Sequence, residues 1–355
     1  MDFLFSNLPP VRTGCSAFAE AFYSLIPEAT RLDIAVGYVT ADSLAELKQT
    51  VAYNGNIATL NLIIGMHYWD RFTMLEYNAA VGLNDFLRDE RRGEVRIVRP
   101  FRFHGKLYSY SNANGAFAGI IGSNNLSSIV DSRIRTYEAS VLMREREYAV
   151  KMRDFIDKLS ADATDNLADC QINTFKERNS LLEEHENVKK VPQNEHADCI
   201  SSLTGVTFHI PLVKKGKVPP KSNLNVFFDT GRINKQTGIE IPRHWYEVDP
   251  MVPTEITRLP GFPQKGTQEA IFDVITDDGW KFSCQIQGDN SKNFRSRGDL
   301  TILGKWIKGR LENHGILSVG HPVTAETFKR YGRDNFTFTK TAKPNLWYID
   351  FGVEQ

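Results

Sequence analysis

Regular patterning begins at RLDIAVGYVT (31–40), an apolar, β-branched run that reads as a buried strand. ADSLAELKQTVAY (41–53) follows at helical spacing, with Asp42 as candidate N-cap. The alternation then repeats. TLNLIIGMHY (59–68) reads as a second buried strand. FTMLEYNAAVGLNDFLRDERRG (72–93) reads as a long helix, ended by Gly93 after basic residues that suit a C-terminus. EVRIVRP is short and strand-like, and FHGKLYSY and GAFAGIIGS are two more strands joined by the turn-rich SNAN. RTYEASVLM (135–143) adds a strand and EREYAVKMRDFIDKLSAD a closing helix. Strands interleaved with helices predict an α/β layered sheet for residues 1–160.

Between 161 and 199 the periodicity weakens into a polar, acidic stretch with Pro192 near its end. It reads as a linker with one helix around Thr174–His185. From 200 to 355 the texture is short strands: GVTFHIPLV, LNVFFDT, TGIEIP, EAIFDVIT, WKFSCQIQG and DLTILG. Turn formers such as TDDG and GDNSKN separate them, and KWIKGRLENHG is helical. Short strands at regular spacing predict a mostly-β barrel or sandwich.

With 355 residues, 41% hydrophobic and 24% charged, the chain suits two globular domains. MDFLFSNLPPVRTG has no basic n-region ahead of a long apolar run, so no signal peptide is expected. No run approaches the roughly 18 apolar residues of a membrane span, so no membrane partner is expected either. Cys15, Cys170, Cys199 and Cys284 are scattered, which argues against a structural zinc site and suits a reducing cytoplasm. The net charge of zero hides a division. Residues 1–160 carry 18 basic and 18 acidic side chains, residues 161–199 carry 4 and 9, and residues 200–355 carry 21 and 16. A basic C-terminal half suits an anionic ligand such as nucleic acid.

One stretch carries chemistry. In FHGKLYSYSNANGAFAGIIGSNNLSS (103–128), strand alternation puts His104 and Lys106 on one face. Imidazole can attack phosphorus near neutral pH, and an ammonium neutralises phosphoryl oxygens. If the next strand continues through GSNN, Ser123 and Asn125 share a face and can donate to the same oxygens. Glu138, in RTYEASVLM, could orient the histidine. The plainer alternative is a hairpin with a surface histidine and ordinary turn residues.

HGKLY followed by AGIIGSNNLSS resembles the H-x-K-x4-D and G-S motif of the phospholipase D superfamily, through His104, Lys106, Gly122, Ser123 and Asn125. Ser111 stands where that motif has aspartate, which weakens a lipase reading; in the nuclease branch a later acidic residue does comparable work, and Glu138 is the candidate. Over its length the chain is similar to phospholipase D-type restriction endonucleases of the NgoFVII, NgoAVII and BfiI kind. That resemblance implies an α/β phospholipase D-like sandwich at 1–160, an acidic linker at 161–199, and a pseudobarrel like the plant B-three DNA-binding domains at 200–355. WKFSCQIQGDNSKNFRSRGDLTILGKWIKGRL (280–311) is its strongest C-terminal echo.

The resemblance implies further expectations. H-x-K occurs once, so a homodimer through the nuclease domain would form one shared site. One histidine would become a phosphohistidine, and the partner's would act as acid and then base. No metal or other cofactor is expected. Double-stranded DNA is the expected substrate, and a methyltransferase or helicase of a restriction system is a candidate further partner. In GRINKQTG and QIQGDNSKNFRSRG, base or phosphate contacts fall to Arg232, Asn234, Lys235, Gln285, Gln287, Asn290, Lys292, Asn293, Arg295 and Arg297. Trp245, Trp280, Trp306 and Trp347 read as core. The acidic run (Glu183, Glu184, Glu186, or Asp162, Asp165, Asp169) reads as a solvated tether, with occupation of a basic cleft as the alternative. Two other functions compete: a phospholipid hydrolase or phosphatidyltransferase, and a non-cleaving DNA-binding regulator.

Overall fold

In the computed structural model, which describes residues 1–130, 136–176, 181–183, 185–235 and 238–353, the chain divides into two units. The first comprises residues 1–178 and 230–242, the second 179–229 and 243–355.

The first unit contains β1 (Asp2–Phe5), α1 (Phe18–Leu25), β2 (Arg31–Val36), α2 (Ala41–Tyr53), β3 (Thr59–Ile64), α3 (His67–Asp70) and α4 (Met74–Asp89). It continues through β4 (Gly93–Val98), β5 (Lys106–Asn112), β6 (Gly115–Gly122), β7 (Ala139–Met143), α5 (Arg146–Ala163) and β8 (Thr164–Asn166). The strands form one sheet in the order β1-β7-β6-β5-β2-β3-β4-β8. Strands β2, β3 and β4 run parallel, as their helical crossovers require, and the other neighbours pair antiparallel.

Alternation along β5 gives the sheet its two faces. Tyr108 and Tyr110 turn to α1, where Tyr108 meets the rings of Phe18 and Phe22 at centroid distances of 4.9 and 6.0 Å. Leu107 turns to the other face, where Ala35, Ile63 and Val98 form a core with Met152, Ile156, Leu159 and Ala163 of α5. Each fully buried leucine or isoleucine there contributes about 1.5–3 kcal/mol.

Boundaries depart from the sequence reading in instructive places. Helix α2 spans 41–53 as expected, but Thr40 is its N-cap, with its side chain accepting from the Ser43 N–H. Gly93 does not end a helix. It opens β4 at φ +128°, where a Cβ would lie 1.9 Å from the Leu60 carbonyl oxygen. The expected strand 59–68 stops at Ile64 and turns into α3. Strand β7 begins at Ala139 rather than 135, and residues 131–135 lie outside the description.

The remaining elements are β9 (Lys189–Lys190), α6 (Gln193–Ser201), β10 (Leu203–Pro211), β11 (Arg232–Ile233), β12 (Glu240–Ile241), α7 (Thr254–Thr257), β13 (Ile271–Thr276), β14 (Trp280–Gln287) and β15 (Asn293–Ser296). They end with α8 (Ile302–Asn313), α9 (Ala325–Tyr331), β16 (Asn335–Thr341) and β17 (Leu346–Asp350). Hairpin β11–β12 belongs to the first unit, where Asn54 Nδ2 donates to the Glu240 carbonyl at 3.4 Å. The second unit's sheet runs β10-β16-β17-β13-β14-β15, with β9 against β14 and the pair β13–β17 parallel. Its core is aromatic: Phe338 stacks on Trp347 at 4.0 Å, among Phe208, Phe262, Phe272 and Phe294. Trp245, Trp306 and Trp347 are buried, and Trp280 is half-buried.

Two expected strands are not strands. LNVFFDT forms the 3₁₀ helix Asn223–Phe228, because its consecutive apolar residues bury Leu224, Val226 and Phe227 in one turn. DLTILG starts α8: Asp299 Oδ1 accepts the Thr301 N–H at 2.8 Å, and Ile302 and Leu303 are buried in the helix. The stretch 161–199 is ordered at several points. β8 pairs with β4, β9 pairs with β14, and His185 Nε2 bonds Asp299 Oδ2 at 2.8 Å. No helix forms among the described residues of 174–185; residues 177–180 and 184 lie outside the description, and the helix comes later, at 193–201. Asp162 pairs with Lys158 and Asp165 with Arg99, both at 2.8 Å.

Candidate active site

Two glycines bring the site together. After β2 comes Gly37 and after β3 comes Gly65, and the Gly65 N–H donates to the Val36 carbonyl. The segment before β5 crosses directly over both. A Cβ on Gly65 would sit 2.0 Å from the Phe103 carbonyl oxygen, and one on Gly37 would sit 2.9 Å from His104 Cδ2. Only glycine lets the backbone carrying His104 come this close.

His104 therefore precedes β5 instead of lying within it. The residue is exposed, and its imidazole has no hydrogen-bond partner among the described residues. Its ring meets that of Tyr38 edge-on at 5.7 Å. Lys106 opens β5 and is buried, with Nζ donating to the His104 carbonyl at 2.8 Å. Burial lowers the Lys106 pKa, and the negative charge of Glu138 opposes that shift. An ammonium close to a free imidazole suits a phosphoryl group.

The strand β6 stops at Gly122, so Ser123 and Asn125 do not share a strand face as the sequence suggested. The Ser123 hydroxyl is held by Ala139: it accepts that residue's N–H at 3.0 Å and donates to its carbonyl at 3.3 Å. Gly122 is needed for this approach, since a Cβ there would fall 2.1 Å from Ser140 Oγ. Asn125 reaches the site by another route. Its Oδ1 accepts the Tyr38 N–H at 3.1 Å, which fixes the amide to the residue whose ring meets that of His104. Its neighbour Asn124 is buried, bonding Ser128 and Ser140 at 3.1 and 2.5 Å. Glu138 lies just before β7 and is half-buried; its N–H is held by Ser6 Oγ at 2.8 Å. Ser111, at the family's aspartate position, is buried with its hydroxyl unbonded among the described residues.

The sequence reading missed the residues that frame this centre. The Tyr38 hydroxyl donates to Asp70 Oδ2 at 2.5 Å, and Arg102 pairs with Asp70 at 3.5 Å. The hydrogen bond raises the Tyr38 pKa and lowers that of Asp70. His67 is buried. Its Nε2 accepts the Val39 N–H at 3.1 Å and its Nδ1 lies 3.2 Å from the Arg71 carbonyl, so the ring is neutral with its proton on Nδ1. Burial lowers its pKa to about 4. The only hint in the sequence was V-G-Y (36–38) and I-G-M (64–66), a glycine ending each of two buried strands.

The residues expected to meet DNA fall in two places. Arg232, Asn234 and Lys235 lie on hairpin β11–β12 and its turn, in the first unit. Gln285, Gln287, Asn290, Lys292, Asn293, Arg295 and Arg297 surround the β14–β15 connection in the second. Gln287, Asn290 and Arg297 are exposed there, and Gln285 and Lys292 half-buried. Asn293 Nδ2 and Arg295 Nη2 both bond Asp249 Oδ2, at 2.7 and 2.6 Å. Among the described residues no three His, Cys, Asp or Glu side chains gather as metal ligands. No described helix is long and apolar enough to cross a membrane.

Two family models match the chain. Residues 18–177 match the N-terminal phospholipase D domain of the NgoFVII restriction endonuclease. Residues 198–342 match the NgoFVII C-terminal B3-like DNA-binding domain. No curated protein matches. Solved structures with some likeness include the archaeal chromatin protein TrmBL2, 10% identical over 46% of this chain and 53% of that one, with a TM-score of 0.30. Another is polyphosphate kinase from Porphyromonas gingivalis, 12% identical over 52% of this chain and 26% of that one, with a TM-score of 0.32. Neither likeness is close enough to bear on fold or activity. With its phospholipase D domain carrying the His104–Lys106 centre and a B3-like domain after it, the chain belongs to the NgoFVII family of restriction endonucleases.

Proposed function

We propose that the protein hydrolyses phosphodiesters of double-stranded DNA at specific sequences, through a phosphohistidine formed on His104. The observation that carries this is the unbonded His104 imidazole beside the buried Lys106 ammonium and the anchored Asn125 amide. His104 attacks phosphorus, and the bond to the leaving oxygen breaks as a second His104 protonates it. That second imidazole then takes a proton from water, whose oxygen displaces the first histidine. Lys106 and Asn125 stabilise the equatorial oxygens, so the step needs no metal ion. Glu138 is read as the acidic residue that orients the histidine, and its negative charge also opposes the lowering of the Lys106 pKa by burial.

The second histidine comes from another copy of the chain. Phe3, Val141 and Ile121 are cross-strand partners on β1, β7 and β6, and they continue the face that α5 covers over Leu107. Beyond α5 this stripe lies open, with Phe3 62% and Ile121 43% exposed, one residue from Gly122. An exposed apolar stripe at the tip of the site suits a second copy. Sequence choice falls to the B3-like unit, read as a pseudobarrel, through the residues around β14–β15; the first unit is read as the sandwich of its superfamily. One shared site implies cutting the two strands in turn.

The test is digestion of varied duplex DNA in EDTA. Discrete fragments, lost with His104→Ala, support the reading. Binding without cleavage, or turnover of phospholipid instead, overturns it. Heterodimers of wild-type and His104→Ala chains should be inactive, and full activity would sink the shared site.

A further inference from the structure

Beside His104 the first unit exposes aromatic surface that the chemistry above leaves unused. Trp69 is 45% exposed, whereas Trp245, Trp306 and Trp347 are buried and Trp280 is half-buried. Tyr68 and Phe101 are exposed with it. The Arg102 guanidinium lies 5.8 Å from the centre of the Trp69 ring, and that of Arg99 lies 5.4 Å from the Tyr68 ring.

This surface is held in place. Tyr68 and Trp69 sit on α3, which closes at Arg71 with φ 67° and ψ 153°, a region costly for any residue but glycine. Buried His67 clamps that turn through the Arg71 carbonyl. Asp70 then joins Arg102 to the Tyr38 hydroxyl, and the Tyr38 ring touches the His104 ring. Trp69 and Arg102 are thus tied by side-chain contacts to the attacking imidazole.

We propose that Trp69 and Arg102 form a platform for the nucleotide next to the scissile phosphate: an unpaired base stacks on Trp69 while Arg102 holds its phosphate. An exposed indole beside a guanidinium fits a nucleotide, which offers a flat ring and an anion together. Every base has a stacking face, so the platform is indifferent to sequence. It makes the nuclease unit a reader of a locally unstacked strand and leaves sequence choice elsewhere. This rests on the nuclease reading of the His104 centre.

The test uses the full chain, a short single-stranded oligothymidylate and its fully abasic counterpart. The oligothymidylate should quench the exposed tryptophan emission and bind about 5- to 100-fold tighter than the abasic strand. Trp69→Ala should erase both differences, Trp69→Phe should keep most of the affinity difference, and Arg102→Ala should weaken both ligands. Equal binding of the two strands by wild type, or a preference that survives in Trp69→Ala, overturns the platform. Binding needs no turnover, so a protein that stacks bases without cutting DNA would refute the endonuclease reading alone.

Discussion

Tyr38 donates its backbone N–H to Asn125 Oδ1 at 3.1 Å, joining the end of β2 to the residue after Asn124 across 87 positions of sequence. The bond occupies the acceptor end of the amide, and on the proposed mechanism its NH₂ donates to substrate. Asn125→Asp keeps the acceptor but removes the donor and adds repulsion toward phosphate. Cleavage should fall about 10²–10³-fold, mainly in kcat, with the melting temperature unchanged. Single-turnover cleavage and a thermal melt check this together.

On the proposed mechanism, the Lys106 ammonium serves phosphate at some cost to stability. Burial lowers its pKa from 10.5, so between the folded value and 10.5 the unfolded chain binds more protons. The penalty is full below the folded value and is relieved as pH rises through it. Lys106→Met should therefore melt higher at neutral pH while losing cleavage. A lower melting temperature would contradict this.

His67 makes a contribution of the same sign in a more acidic window. With its pKa lowered from 6.5 to about 4, the folded state stays neutral where the unfolded state takes a proton. Stability should fall as pH drops from about 6.5 toward 4. His67→Phe should flatten that window and cut cleavage about tenfold, because Tyr38 and Asp70 lose their clamp. Thermal melts across pH, compared with wild type, measure the flattening.

Lys308, on α8, is a fully buried cation of the second unit. Its Nζ bonds the Trp245 carbonyl at 2.5 Å and lies 3.9 Å from the centre of that indole. Burial lowers its pKa to about 7, so stability should rise with pH between about 7 and 10.5. Lys308→Met should remove that rise, read by chemical denaturation at several pH values.

The sequence revealed most where the pattern was local and long. The spacing of ADSLAELKQTVAY marks the extent of α2, although the cap is Thr40 rather than Asp42. β15 went unseen because NFRS looks like a continuation of the polar turn before it, although Phe294 and Ser296 are buried by pairing with β14. The same holds at the site. His104, Lys106 and Asn125 could be nominated because a short motif carries them. Tyr38, His67, Asp70 and Arg102 meet only after parallel strands bring distant segments to one edge, and no local pattern records that.

Hairpin β11–β12 lies within the sequence of the C-terminal half yet is counted with the first unit. The polypeptide therefore passes between the units three times, near 178, 229 and 242, where a simple linker would cross once. A protein cut after residue 178 would lose part of its first unit, and one beginning at 200 would carry that part as an orphan. Recombination that exchanges DNA-reading modules at the acidic stretch would move this hairpin too. No single cut in the sequence therefore separates the two units, because residues 230–242 would have to stay with the N-terminal part while the segments on either side of them go with the other.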